Sequence, residues 1–145
     1  MIEVAVSARQ WIGTPYVHQA SVKGVGADCL GLVRGIWREL YGDEPAAVPN
    51  YSRDWGESRA DECLRAAAEA VMTIVEPQKA LLPGQVLLFR MRQGSIAKHL
   101  GVLGDVDPVA TFIHAYSGRA VHESMLSKPW QKRLVARFSF PQVMR

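Results

Sequence analysis

Apolar residues Val4, Ala8, Trp11 and Ile12 recur at helical spacing and predict an amphipathic helix over residues 2–12, stopped by Gly13 and Pro15. Residues 14–27, with Gly24 and Gly26, have no period and predict a loop. A second helix follows, with Asp28 as N-cap, Cys29, Val33, Ile36, Trp37 and Leu40 on one face, and Gly42 at its end. Residues 43–57 carry Pro45, Pro49, Gly56, Tyr51 and Trp55, an ordered surface loop with the makings of a lid. Ser58 and Asp61 form a capping-box pattern for a third helix reaching about Thr73, with Leu64, Ala67 and Val71 spaced for burial and Cys63 as a packed thiol.

Beyond Pro83 and Gly84 the pattern becomes short runs of Val, Leu, Ile and Phe between turn residues. Strands are predicted over 85–91, 98–103, 109–115, 119–123 and 134–140, with turns at 105–108 and at Ser117 and Gly118. Helices first and strands after them predict an α+β domain with an antiparallel sheet rather than alternating βαβ units.

Composition narrows the picture. At 145 residues, 48% hydrophobic and 21% charged, the chain is expected to be one soluble domain over 1–145, large enough to bury a core without a disulfide or metal staple. Lys plus Arg is 17 against 14 for Asp plus Glu, a formal charge of +3 that falls well short of a nucleic-acid footprint. No apolar run approaches a membrane span, and Glu3, Arg9 and Gln10 spoil a signal-peptide pattern, so synthesis in a cytoplasm is expected. Two cysteines, Cys29 and Cys63, offer no disulfide framework and no zinc spacing.

The chemistry therefore turns on Cys29. In the first turn of a helix its thiolate would be favoured by the helix dipole and unpaired amides, and those amides could also face an oxyanion. The alternative is that Cys29 is simply the first core residue of an amphipathic helix. Histidines separate the two. A symmetric hairpin about residues 105–108 pairs Leu103 with Ala110 and Gly104 with Val109, and the same register places His99 opposite His114 on one face. One ring could serve the thiol as base and the other orient it, as in a Cys-His-X triad. His18 and His122 read as satisfied, half-buried side chains, and a zinc site of Cys29 with His99 and His114 matches no metal spacing.

These residues resemble the NlpC/P60 cysteine peptidases of bacterial cell-wall turnover, and within them the phage-tail and gene-transfer-agent branch. The matching pieces are Gly13-Thr14-Pro15-Tyr16, Asp28-Cys29-Leu30-Gly31-Leu32-Val33, Pro83-Gly84-Gln85-Val86-Leu87-Leu88-Phe89, Lys98-His99-Leu100-Gly101-Val102 and Phe112-Ile113-His114-Ala115. The resemblance implies a papain-like fold and no cofactor. It implies as substrate the peptidoglycan stem peptide, cut between γ-linked D-glutamate and a diamino acid. Carried over by position, Cys29 is the nucleophile, His99 the base and general acid, and His114 the orienting third member. Tyr16 lines the oxyanion or substrate site, and Asp28 either binds the peptide's amino end or only caps the helix.

Leu30 stands where many relatives have Ser or Ala, and Gln19-Ala20 where many have Gly-Gly, which leaves the scissile bond open. An N-acetylmuramoyl-L-alanine amidase and a cross-bridge endopeptidase remain alternatives on the same fold. A different class of alternative is a non-catalytic tail-tip or hub protein that binds peptidoglycan or tail partners. Tail proteins are the expected partners and a particle tail acting on the periplasmic wall the expected location. Tyr51, Trp55 and Trp130 are candidate partner anchors, with core or rim packing as the alternative.

Overall fold

The computed structural model describes residues 2–45, 62–116 and 118–142. Four helices and eight strands appear among them in the order α1 (Ile2–Arg9), β1 (Ser21–Val22), β2 (Gly26–Ala27), α2 (Cys29–Tyr41), α3 (Cys63–Val71), β3 (Thr73–Val75), β4 (Val86–Phe89), β5 (His99–Leu103), β6 (Thr111–His114), β7 (His122–Met125), α4 (Lys128–Arg133) and β8 (Leu134–Ser139). Strands β3 to β8 form one antiparallel sheet in the order β3-β8-β4-β5-β6-β7. The expected α+β architecture is present.

The first helix ends earlier than its apolar stripe. Amides of Gln10, Trp11 and Ile12 bond to carbonyls three residues back, so the last turn tightens before Gly13 at φ 93°. Trp11 is still buried, but Ile12 turns outward and is exposed, contrary to the helical spacing. The aperiodic stretch that follows is an antiparallel hairpin of two-residue strands, too short to announce itself in sequence, and Tyr16 forms a bridge to Ala27. In α2 both predicted ends hold. Asp28 caps it through a bond from the Gly31 amide, and Gly42 closes it at φ 90°.

Ser58, Asp61, Tyr51 and Trp55 lie outside the described residues, as does Ser117. The third helix is first seen at Cys63, buries Leu64 and Ala68, and leaves Ala67 exposed. It stops short of Thr73, because the β-branched run of Thr73, Ile74 and Val75 pairs with Ser139, Phe138 and Arg137 of β8. That edge strand was not predicted, nor was α4, whose Pro129 sits in its first turn. Predicted β7 slides toward the C-terminus, gaining Ser124 and Met125.

Alternation along the strands divides the core between the two sheet faces. Val86, Leu88, Leu100, Val102 and Ile113 meet α1, α2 and α3 through Ala8, Leu32, Ile36 and Leu64, with Trp11 just past the end of α1 in the same cluster. Leu87, Phe89, Leu103 and Phe112 point the other way, onto Leu126 and the half-buried Trp130 of α4. Buried Arg137 ties down the segment before β4, donating to the carbonyls of Glu76, Pro77, Lys79 and Ala80.

The β5–β6 register differs from the symmetric hairpin. Val102 pairs with Ile113 and Leu103 with Phe112, an offset of two residues. The connection is closed by Gly104 N–H on Thr111 O and Thr111 N–H on Asp105 O, so it is longer than the turn assumed from sequence. A one-residue slip would have sent the two histidines to opposite faces, whereas a two-residue slip preserves the face and makes them diagonal neighbours.

Candidate active site

Strand β5 opens with His99 and β6 closes with His114, both on the sheet face of Phe89 and Phe112. Nε2 of His99 lies 2.8 Å from Nδ1 of His114, and the rings meet nearly edge-on with centroids 5.1 Å apart. Nε2 of His114 lies 3.0 Å from the Ser124 hydroxyl on β7. His99 is 5% exposed and His114 1%. Phe112 stands 4.2 Å from the His114 ring, and Trp130 approaches His99 at 5.7 Å and His114 at 5.3 Å. Tyr116 stands edge-on to His99 at 5.4 Å.

This apolar wall removes the water that would solvate an imidazolium. Burial lowers His99 to about 3, helped by the nearby His122, and lowers His114 to about 2, helped by His99 and His122. Both rings are therefore neutral at neutral pH. His122 pairs across the strands with His114, with ring centroids 4.6 Å apart, and its Nδ1–H donates to Ala120 O. It is half-buried and satisfied, as expected from sequence. His18 is also half-buried, 3.8 Å from Asp28.

Cys29 comes from the helical side of the sheet, as the first residue of α2. Its S–H contacts the Lys98 carbonyl at 3.8 Å, so the thiol reaches the backbone beside His99 rather than either imidazole ring. The structure brings His99 and His114 together and does not close the set with a hydrogen bond from Cys29. Strand alternation is the reason, because α2 packs on the face of Leu100 and Val102 while His99 projects with Leu103.

Position in the first helical turn does not give a ready thiolate. Burial, and secondarily the Asp28 carboxylate, push the Cys29 thiol up to about 12 against the opposing pull of the Leu100, Leu30 and Cys29 amides. The resting state is a neutral thiol and two neutral imidazoles.

Asp28 is 3% exposed and uses both carboxylate oxygens on backbone. Oδ1 accepts from Gly31 N–H at 2.7 Å and Oδ2 from Gln19 N–H at 2.7 Å. It thus caps α2 and clasps the loop before β1, where Gln19 sits at φ 65°, a conformation most side chains avoid. Gly31 completes the clasp, since a Cβ there would lie 1.8 Å from Ala20 O. Tyr16 is half-buried against the same core as Cys29 and Leu30.

Cys63, on α3, is half-buried and in no disulfide. Trp130, a candidate partner anchor from sequence, is instead the wall over the histidine pair. Ser124 was missed because the predicted strand ended at Glu123. Its two-residue spacing from His122 was the available signal for a shared face. Among the described residues no cluster of three His, Cys, Asp or Glu side chains could hold a metal ion, and no helix is long and apolar enough to cross a membrane.

Residues 13–138 match the family model described as NlpC/P60 family. No curated protein matches the chain in sequence. Among solved structures it is similar to the NlpC/p60 domain of the peptidoglycan hydrolase SagA, with 18% identity, a TM-score of 0.63, and coverage of 95% of this chain and 97% of that one. It is also similar to a lipoprotein-like NLP/P60 family protein from Staphylococcus aureus subsp. aureus Mu50, with 17% identity, a TM-score of 0.62 and 97% of this chain covered. An NlpC/P60 family protein from Bacillus cereus ATCC 10987 shows 18% identity, a TM-score of 0.61 and 94% coverage of this chain. The chain spans 41% and 39% of those last two proteins.

Proposed function

Because this chain belongs to the NlpC/P60 family, a family of cysteine peptidases, we propose that it hydrolyses peptide bonds in the bacterial cell wall, with Cys29 as nucleophile. The observation that carries the reading is the family match across the span holding Cys29, His99 and His114, together with the buried 2.8 Å pair those histidines form. Nε2 of His99 is engaged by His114, so Nδ1 is the nitrogen left to receive the thiol proton. Turned off the Lys98 carbonyl on which it rests, the Cys29 S–H gives its proton to His99, which acts as base. The resulting thiolate attacks the amide carbonyl and forms a tetrahedral adduct. The Cys29 and Leu30 amides, at the open end of α2, hold its oxyanion, and His99 returns the proton to the leaving amine. Water releases the acyl group.

Burial keeps the Cys29 thiol protonated in the resting protein, so in this reading its proton moves to His99 only once substrate is bound. The finer reading is a cut between γ-D-glutamate and a diamino acid of the stem peptide, made by a component of a phage-like tail reaching the periplasmic wall. The motif resemblance supports it, with Tyr16 as the residue that would line the substrate, whereas Asp28 spends both carboxylate oxygens on the Gln19 and Gly31 amides.

Digestion of purified sacculi, followed by mass spectrometry of the released muropeptides, tests these readings. Wild type is expected to create new peptide ends, and Cys29→Ala none while remaining folded. New ends at the muramoyl–alanine bond would identify an amidase instead. Undiminished cleavage by Cys29→Ala would remove the nucleophile assignment, and no cleavage by wild type, with tail proteins supplied, would favour a binding component.

A further inference from the structure

We propose that Ser124 is a positioning residue, which holds His114 and His99 in the tautomers that leave His99 Nδ1 unprotonated. The inference rests on the peptidase reading for its consequence, though not for its geometry. A single proton can bridge His99 Nε2 and His114 Nδ1, which leaves two neutral arrangements. In the first, His99 Nε2–H donates to His114 Nδ1, His114 carries its proton on Nε2 and donates it to Ser124 Oγ, and His99 Nδ1 keeps a lone pair. In the second, Ser124 O–H donates to His114 Nε2, His114 Nδ1–H donates to His99 Nε2, and the His99 proton sits on Nδ1. Only the first leaves His99 able to take a proton there.

Ser124 makes the first arrangement possible because it stands at the far end of this chain of bonds, 3.0 Å from His114 Nε2, with an oxygen that can accept that proton. Of the rings around His114, Phe112 and Trp130 carry no acceptor, and His122 and Tyr116 stand at centroid distances of 4.6 and 6.1 Å while Nε2 bonds to Ser124. Ser124 lies opposite Phe112 in the β6–β7 ladder, so the backbone registers it on the same face as the two rings. As acceptor, the half-buried hydroxyl can turn its own proton toward solvent. Without the hydroxyl, His114 Nε2–H loses the acceptor it has in this structure, a less tolerated state for a buried donor than for a buried lone pair, and the pair shifts toward the second arrangement.

Nitrogen-15 NMR of the histidine side chains in the intact resting protein reads the tautomers directly, and turnover of muropeptides reads their consequence. Wild type is expected to show both His99 and His114 as Nε2–H. Ser124→Ala should move His114 toward Nδ1–H and lower kcat about three- to tenfold with KM unchanged, the effect of losing one hydrogen bond. Ser124→Thr, which keeps the hydroxyl and suits a strand, should recover the wild-type tautomer and most of kcat. Nδ1–H on His114 in wild type would overturn the proposal. So would unchanged tautomers and kcat in a folded Ser124→Ala, or equal losses in Ser124→Thr and Ser124→Ala. If Cys29→Ala instead keeps full activity, the peptidase assignment fails while the tautomer measurement still judges Ser124.

Discussion

Lowering the pH from 7 to 5.5 should destabilise the fold through its two buried histidines. In the folded chain both rings are held far below the usual histidine value by burial, so neither takes up a proton in this range. In the unfolded chain each titrates near 6.5 and does take one up. The unfolded state then binds more protons, and stability falls with pH. Between pH 7 and 5.5 the cost is about 1.3 kcal/mol per histidine and about 2.5 kcal/mol for the pair. For a domain of this length that corresponds to a fall in Tm of roughly 5–10 °C. The window excludes the carboxylates. Hydrogen bonds from Arg9, Arg34 and Lys23 hold Glu123, Glu44 and Glu39 below their ordinary 4.5, so their contribution is present above that value and fades only as the pH drops through it. Urea unfolding at both pH values, in wild type and in a His99→Gln/His114→Gln double variant, isolates the two rings from the rest of the chain. A wild-type midpoint that does not move, or a double variant that keeps the full wild-type dependence, would refute the argument.

Two further substitutions probe the turn before α2. Gly31→Ala should gain about 1 kcal/mol of helix propensity yet lose more to the forced displacement of Ala20 O, for a net loss of about 1–3 kcal/mol measured by thermal unfolding; a raised Tm would contradict the close approach. Asp28→Asn removes the negative charge beside Cys29 while keeping one oxygen for the cap. The thiol should titrate lower, seen as alkylation of Cys29 by iodoacetamide, followed by peptide mass spectrometry, shifting to lower pH, and an unshifted profile would mean that the carboxylate does not act on the thiol.

Much of this protein was legible in its residues alone. Asp28 as N-cap, Gly42 as helix stop, the α+β order and the candidacy of Cys29, His99 and His114 follow from capping chemistry, periodicity and residue type, which are local properties. Even the wrong hairpin register kept both histidines on one face, because side chains repeat every two residues along a strand. Non-local packing decided the rest. The run from Thr73 to Val75 became a strand because β8 offered it an edge, and Trp130 became a wall because α4 folds over Phe89 and Phe112. Cys29 also needed tertiary structure. Its place in the helix's first turn argued for a thiolate, yet burial and Asp28 outweigh the amides around it and keep the thiol protonated. The order of residues names the groups that can do chemistry, but their charge depends on how much water and which neighbours the folded chain leaves around them.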